Sequence, residues 1–328
     1  MSRKALAVIL AVLITLAIPI CAMQYISFGT PQNEANAPTD SIADADTETE
    51  AEEETEAETD AVLETEEEEE TEFEEEPEEE KEGRVVILLY HDLVEKELGE
   101  NNNPEYCTTG EKFRLDLETL LSHGWKSISS EMYVKGEYDK SENYFIVTFD
   151  DGYISNYTIA YPIMLELGVY GDIFTCTGNV HFDNHFKWDQ GQEMENSGYV
   201  KLYSHTHRHY SLTRARTLFS FKTSIKTSLL YMQYRLEGDR MMIFSYPESD
   251  YTEESVRALY ESGIIIQYVQ IMPYEKGEDW DYESLGLTRR YNVAYETDIE
   301  VLCGIKTESE AEETETEEIT VDTEEEAA

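Results

Sequence analysis

Cysteine is scarce: only Cys21, Cys107, Cys176 and Cys303 carry a thiol among 328 residues, and none forms a CxxC pair. Cys21 falls inside an apolar run, which leaves an odd set of three and argues against a disulfide framework or a structural zinc knuckle. Bases are few as well. Lys and Arg number 24 against 72 Asp and Glu, a formal charge of −48, and no basic stripe is expected to neutralise phosphates, so nucleic acid is not an expected partner. Histidine is absent after His209. Branched apolar and aromatic side chains are sparse in two flanking stretches: residues 31–82 hold 26 acids beside a single base, Lys81, and residues 307–328 hold 11 acids and no base. Such segments bury too little apolar surface to offset their ordering entropy. They predict a disordered acidic Thr/Glu-rich linker over residues 25–83 and a disordered acidic tail over 307–328.

What is present divides into an N-terminal apolar run and one foldable domain. Arg3 and Lys4 precede Ala5–Met23, interrupted only by Thr15 and Pro19, the layout of a signal peptide or membrane anchor over residues 1–24. Its 19 residues come close to the roughly 20 that span a bilayer core, so an uncleaved anchor is favoured, and the positive-inside bias places the rest outside. That predicts a protein in the cell envelope or outside the cell, touching the membrane through its N-terminus. Residues 84–306 remain, enough for one α/β domain.

Within that domain, short apolar and β-branched runs alternate with helical periodicity. Val85–Tyr90, Phe145–Phe149, Asp172–Thr177, Val200–Ser204, Met241–Tyr246 and Ile264–Val269 read as buried strands. Phe113, Leu117, Leu120 and Leu121 repeat at helical spacing before Gly124, and Val256, Leu259 and Tyr260 do so before Gly263. Ile154–Leu167, with Pro162 as an irregularity, Asp189–Asn196 and Thr213–Leu236 supply further helices. Strands separated by helices imply a parallel sheet, and six or seven of them can close into a barrel. Functional groups of such folds collect at the carboxyl ends of the strands.

Two of those ends carry chemistry. After Phe145–Phe149 come Asp150, Asp151 and Gly152 (TFDDG); after Val200–Ser204 comes His205-Thr-His-Arg-His209. Adjacent carboxylates closing a buried strand need compensation by a cation or by hydrogen bonds. An Asp with two His spaced three residues apart suits zinc or a similar divalent ion and leaves positions for water and substrate. The other Asp is then placed to accept a proton from that water. The alternative for each motif alone is a polar turn.

Together, TFDDG and His-Thr-x-x-His resemble the polysaccharide deacetylase family, the family 4 carbohydrate esterases that share a homology domain with the rhizobial chitooligosaccharide deacetylase. The resemblance implies a distorted (β/α)7-type barrel, with Asp150 as general base and Asp151, His205 and His209 as ligands of a divalent ion, zinc with cobalt or nickel as alternatives. The family's late Leu-x-His is missing. Val86–Val94 (VILLYHDLV), however, resembles the N-terminal segment of the circularly permuted subgroup, which includes enzymes acting on poly-N-acetylglucosamine, and there His91 takes the acid role. The resemblance covers about residues 85–295 and also implies that Arg289 or Arg290 (TRR) orients the base. It places the backbone amide of Glu248 at the oxyanion, although the subgroup's Tyr-Pro-Tyr-Gly is here Tyr246, Pro247, Glu248 and Ser249. Ser249 in place of Gly restricts that turn.

The implied activity is hydrolysis of N-acetyl, or O-acetyl, groups from a polysaccharide by a monomer. Tyr153, Trp188 and Tyr246 lie near the motifs as candidate sugar-stacking residues. Two other classes compete: an inactive carbohydrate-binding protein of the same fold, suggested by Glu248 and Ser249, and a glycoside hydrolase with paired carboxylates, which has no need of the His-x-x-x-His spacing.

Overall fold

The computed structural model describes residues 82–100 and 102–307. The expected anchor, acidic linker and acidic tail lie outside the described residues, apart from the few that adjoin the domain. Among the described residues no helix is long and apolar enough to cross a membrane.

Eleven strands occur in the order β1 (Val85–Tyr90), β2 (Asp92–Val94), β3 (Cys107–Thr109), β4 (Lys126–Ser127), β5 (Tyr144–Asp151), β6 (Gly171–Thr175), β7 (Val200–Ser204), β8 (Ile243–Ser245), β9 (Ile266–Val269), β10 (Leu287–Arg289) and β11 (Tyr291–Asn292). Nine of them form one sheet in the order β10-β9-β8-β7-β6-β5-β1-β11, with β4 added on β5, and every pairing in it is parallel. The two ends of that order are neighbours in sequence. Leu287–Arg289 pairs with β9 while Tyr291–Asn292 pairs with β1, so one segment, interrupted at Arg290, nearly closes the sheet into a barrel of seven staves. The expected distorted (β/α)7-type architecture is what forms.

Side-chain alternation along the strands builds the interior in layers. Ile87, Tyr144, Ile146, Ile243 and Ile266 pack with the aromatic layer Phe174, Tyr203 and Tyr268 inside the barrel. The intervening residues, such as Val86, Leu88, Phe145, Val147 and Phe149, face outward against the helices. In β5 the period of two puts Ile146, Thr148 and Asp150 on the inner face, so a carboxylate arrives at the carboxyl end of the barrel by strand geometry alone. Asp172, one layer from the opposite end of β6, is inner-facing and fully buried.

Several expected elements shift at their edges. The stretch expected as one helix from Ile154 begins as a π-helical turn, Asn156–Ala160, and becomes α-helical at Tyr161–Leu167, with Pro162 in the first turn where its missing N–H costs nothing. The expected helix Thr213–Leu236 is two, Leu212–Ala215 and Leu218–Arg235, because Arg216 turns left-handed and Thr217 caps the second through its side chain. Gly124 and Gly263 adopt the left-handed conformation expected of them. Cys107, Cys176 and Cys303 are buried free thiols.

Candidate metal and active site

The carboxyl end of β5 is bent on purpose. Asp150 keeps extended geometry and points inward, but Asp151 has φ 70° and Gly152 φ 82°. A side chain at Gly152 would sit 2.3 Å from Thr175 Oγ1, so glycine is required both for its backbone and for its lack of bulk. This reversal separates the two carboxylates: Asp150 is buried in the barrel mouth and Asp151 turns toward the loop after β7.

That loop is equally constrained. Thr206 and His209 both have positive φ. The Ser204 hydroxyl accepts from Thr206 N at 3.2 Å and the Thr206 hydroxyl accepts from Tyr210 N at 3.0 Å, so the small hydroxylated residues of SHTHRHY hold the turn. Its reward is ring placement. His205 Nε2 and His209 Nε2 lie 3.9 and 3.5 Å from Asp151 Oδ1, and donor atoms of the three residues fall within 4.8 Å of one another. His205 Nδ1 faces the Ser245 carbonyl at 3.0 Å. That carbonyl can only accept, so Nδ1 carries the proton and Nε2 keeps its lone pair toward Asp151. Burial lowers the His205 pKa to about 4 against the opposing pull of Asp150 and Asp151, which keeps the imidazole neutral as a ligand must be. One carboxylate oxygen and two ring nitrogens converging at this spacing fit a divalent ion of the zinc type.

Asp150 has different neighbours. Arg290 Nη1 donates to its Oδ1 at 2.8 Å and Nη2 to its Oδ2 at 2.6 Å, a bidentate pair, while the Ser245 hydroxyl donates to Oδ2 at 3.1 Å. Arg290 is 1% exposed, lies over the rings of Phe174 and Tyr268 and also donates to Thr148 Oγ1. Burial works against ionisation of Asp150, but the Arg290 guanidinium and then His205 outweigh it and hold the carboxyl well below the usual range. Of the two arginines expected as candidates, Arg290 is the one on Asp150. Arg289 turns outward to Glu275, Tyr274 and Tyr291, as alternation in the closing segment requires.

The remaining expected residues divide. His91 follows β1, is drawn electrostatically by Asp150 and Asp151, and has a buried Nδ1 with no partner; burial lowers its pKa. Its carbonyl accepts from Asn156 Nδ2 at 2.8 Å and Tyr106 meets its ring edge-on. Tyr153 stacks on His185, and Asp151 adds to burial in raising its phenol. Trp188 is half-buried and lines a cavity behind the His205–His209 loop. Tyr246 is not a stacking surface: it is 1% exposed, packed by Phe221, Phe244 and Tyr251, with its hydroxyl on Gln267. Glu248 and Ser249 have φ 60° and 49°. The Ser249 side chain does not prevent the turn, because its hydroxyl accepts from Gln270 N at 2.6 Å, and the Glu248 carboxylate leans out to Arg214 at 2.8 Å.

A family model described as polysaccharide deacetylase matches residues 137–265, the span that contains both the TFDDG strand and the histidine loop. Over that span the chain is similar to the polysaccharide deacetylases. The Bacillus subtilis (strain 168) protein YxkH, provisionally named a polysaccharide deacetylase, is 24% identical over 186 residues, 56% of this chain. The chain spans 63% of the length of that curated relative. The barrel is similar to the Streptococcus pyogenes deacetylase PplD, solved with acetate (TM-score 0.59, 18% identity, 68% of this chain and 98% of that one), and to IcaB from Ammonifex degensii (TM-score 0.53, 20% identity, 65% and 92%).

Sequence reasoning about this site missed Ser245, which serves Asp150 through its hydroxyl and His205 through its carbonyl. It also missed Asn156, and Cys176, whose thiol donates to His205 O at 3.3 Å. Ser245 ends a buried strand, as Asp150 nearly does; position at a strand end was the available signal.

Proposed function

We propose that this protein is a metal-dependent deacetylase that hydrolyses N-acetyl groups from a polysaccharide in the cell envelope or outside the cell. The observation that carries the reading is the division of labour at one barrel mouth: a buried, ionised Asp150 fixed by Arg290, next to Asp151, His205 and His209 arranged as a three-donor set.

Asp151, His205 and His209 would hold the ion, zinc by its oxygen and nitrogen donor set. When bound, a divalent ion here supplies acidification of a water molecule and polarisation of an acetyl carbonyl. The chain supplies the rest. Asp150 is ionised throughout the working pH range and accepts the water proton, and the bidentate Arg290 fork with the Ser245 hydroxyl fixes which lone pair remains available. His91, kept neutral at rest by burial, first takes up a proton from solvent, helped by the charges of Asp150 and Asp151, and then passes it to the departing amine, while the proton taken by Asp150 returns to solvent. The amide of Glu248, presented by the left-handed turn after β8, is the candidate donor to the oxyanion. Products are acetate and a free amino sugar.

The location rests on Arg3, Lys4 and the apolar run that follows, and the acidic segment after it is suited to hold a monomeric catalytic unit away from a membrane. The test uses the full chain loaded with zinc, cobalt or nickel and assayed for acetate from N-acetylglucosamine oligomers and from acetylated xylan. Metal-dependent acetate release that falls roughly 10²–10⁴-fold in Asp150→Asn is the expected outcome. Bound metal with no acetate from any substrate would leave a binding protein instead, and new reducing ends without acetate would indicate a glycosidase.

A further inference from the structure

Residues 197–236 hold seven bases and no Asp or Glu, in a chain whose net charge is −48. The stretch comprises β7, the His205–His209 loop and helix Leu218–Arg235. Two concavities of about 420 and 490 Å³ meet along it and share His207 and Arg208. The first adds Lys187, Trp188, Tyr231 and Arg235; the second adds Arg214, Arg216 and a row of hydroxyls that includes Ser220 and Thr223. Neither wall contains an acid, whereas the cavities by Asp116 and Asp172 are both lined with them.

Three guanidinium groups on this face have no carboxylate partner. Arg208, Arg216 and Arg235 are exposed and form no ion pair among the described residues, while Arg114, Lys126, Arg240, Arg257, Arg289 and Lys306 each meet a carboxylate. Arg214 is taken by Glu248. The wall between the two concavities is rigid: His207 Nδ1 meets the Thr177 hydroxyl at 3.0 Å, its ring packs on Tyr231, and a side chain at Gly178 would strike His207 O at 2.5 Å. Unpaired guanidinium groups held close together repel one another, and an oxyanion relieves that repulsion. Their planar forks match phosphate and carboxylate geometry, and the Tyr231 and Trp188 rings offer faces to a sugar.

We propose that this cleft binds an oxyanion, a phosphodiester or a carboxylate, carried by the glycan near the sugar that enters the metal site. The position suits a neighbouring residue of the same polymer, because His207 and Arg208, shared by both concavities, lie between His205 and His209 in the loop that carries both histidine donors. The proposal rests on the deacetylase reading for the sugar but not for the anion.

The experiment measures binding to the full-length Asp150→Asn protein, which holds substrate without turning it over, by calorimetry. The probes are a neutral N-acetylglucosamine oligomer, the same oligomer bearing phosphodiester groups, the same bearing carboxylates, and a single-stranded oligonucleotide of equal charge. Each is measured at low and at high salt, with and without Arg208→Gln plus Arg235→Gln. Either anionic glycan is expected to bind about tenfold or more tighter than the neutral one at low salt, and high salt or the double substitution should remove the advantage; the two anionic arms identify the source of the oxyanion. Equal affinity for neutral and anionic glycans overturns the proposal, as does a preference that survives the substitutions or tighter binding of the oligonucleotide. Anion binding without acetate release from any substrate refutes the deacetylase reading and keeps the cleft; acetate release without anion preference does the reverse.

Discussion

At the residue scale the barrel treats two buried carboxylates in opposite ways. Asp150 is ionised because Arg290 matches it. Replacing Arg290 with Met leaves a buried charge unpaired, so destabilisation of about 3–5 kcal/mol is expected, read by denaturant or thermal unfolding, together with acetate release reduced to near background. Asp172 at the other end of the barrel has no such partner. Ser130 N donates to its Oδ2 at 2.7 Å, but its Oδ1 is buried without one. Burial raises its pKa from 3.8 to about 6. The folded state therefore binds this proton more tightly than the unfolded chain; the stabilisation is full below pH 3.8 and is lost as pH rises through 6. The difference corresponds to about 3 kcal/mol. Unfolding of Asp172→Asn measured beside the unmodified protein from pH 4 to 7.5 should show the variant gaining relative stability across that window; parallel profiles would contradict it.

At the scale of elements, function sits in strand ends that leave regular geometry. Asp151, Thr206, His209, Glu248 and Ser249 all have positive φ without being glycine; Asp151 ends β5 and the others lie in the loops after β7 and β8. Strain of this kind persists where surrounding contacts over-determine it. Gly152→Ala would force both an unfavourable φ and a collision with Thr175, so a loss of roughly 1–3 kcal/mol and weaker metal uptake are expected, measured by unfolding and by metal analysis of the purified protein. Such loops also mark how far the sequence was legible. Six inner strands and the convergence of Asp151, His205 and His209 could be read because apolar runs and TFDDG or His-x-x-x-His are local patterns. The closing segment Leu287–Asn292 could not: it has two short halves with different partners, and TRR offers no cue to which arginine faces inward until alternation is imposed by the neighbouring strands. Tyr246 was misplaced for a related reason. Its proximity to a motif in sequence says nothing of which face of β8 its ring leaves from.

At the scale of the whole molecule, composition averages conceal what geometry separates. A net charge of −48 suggested that no basic surface existed, yet residues 197–236 gather one, because the excess acid is concentrated elsewhere in the chain. The proposed metal site is also a product of the whole fold, since Asp151 ends β5 and both histidines come from the loop after β7, and the unfolded chain has no such site. Excess zinc at about a hundred times its dissociation constant should add about 2.7 kcal/mol, a rise of roughly 5–10 °C in melting temperature that a chelator reverses. Asp151→Ala should remove that response.

The seam at Arg290 has a further consequence for synthesis. The residue that completes the sheet is the one that neutralises Asp150, and it lies more than a hundred positions later in the chain. A nascent chain emerging from the ribosome can lay down β1 and β5 through β9 with Asp150 still lacking its countercharge. The Asp150–Arg290 pair then forms in a single late event, when residues 287–292 reach the open edges of the sheet, so a chain that stops short of them leaves a buried carboxylate unpaired.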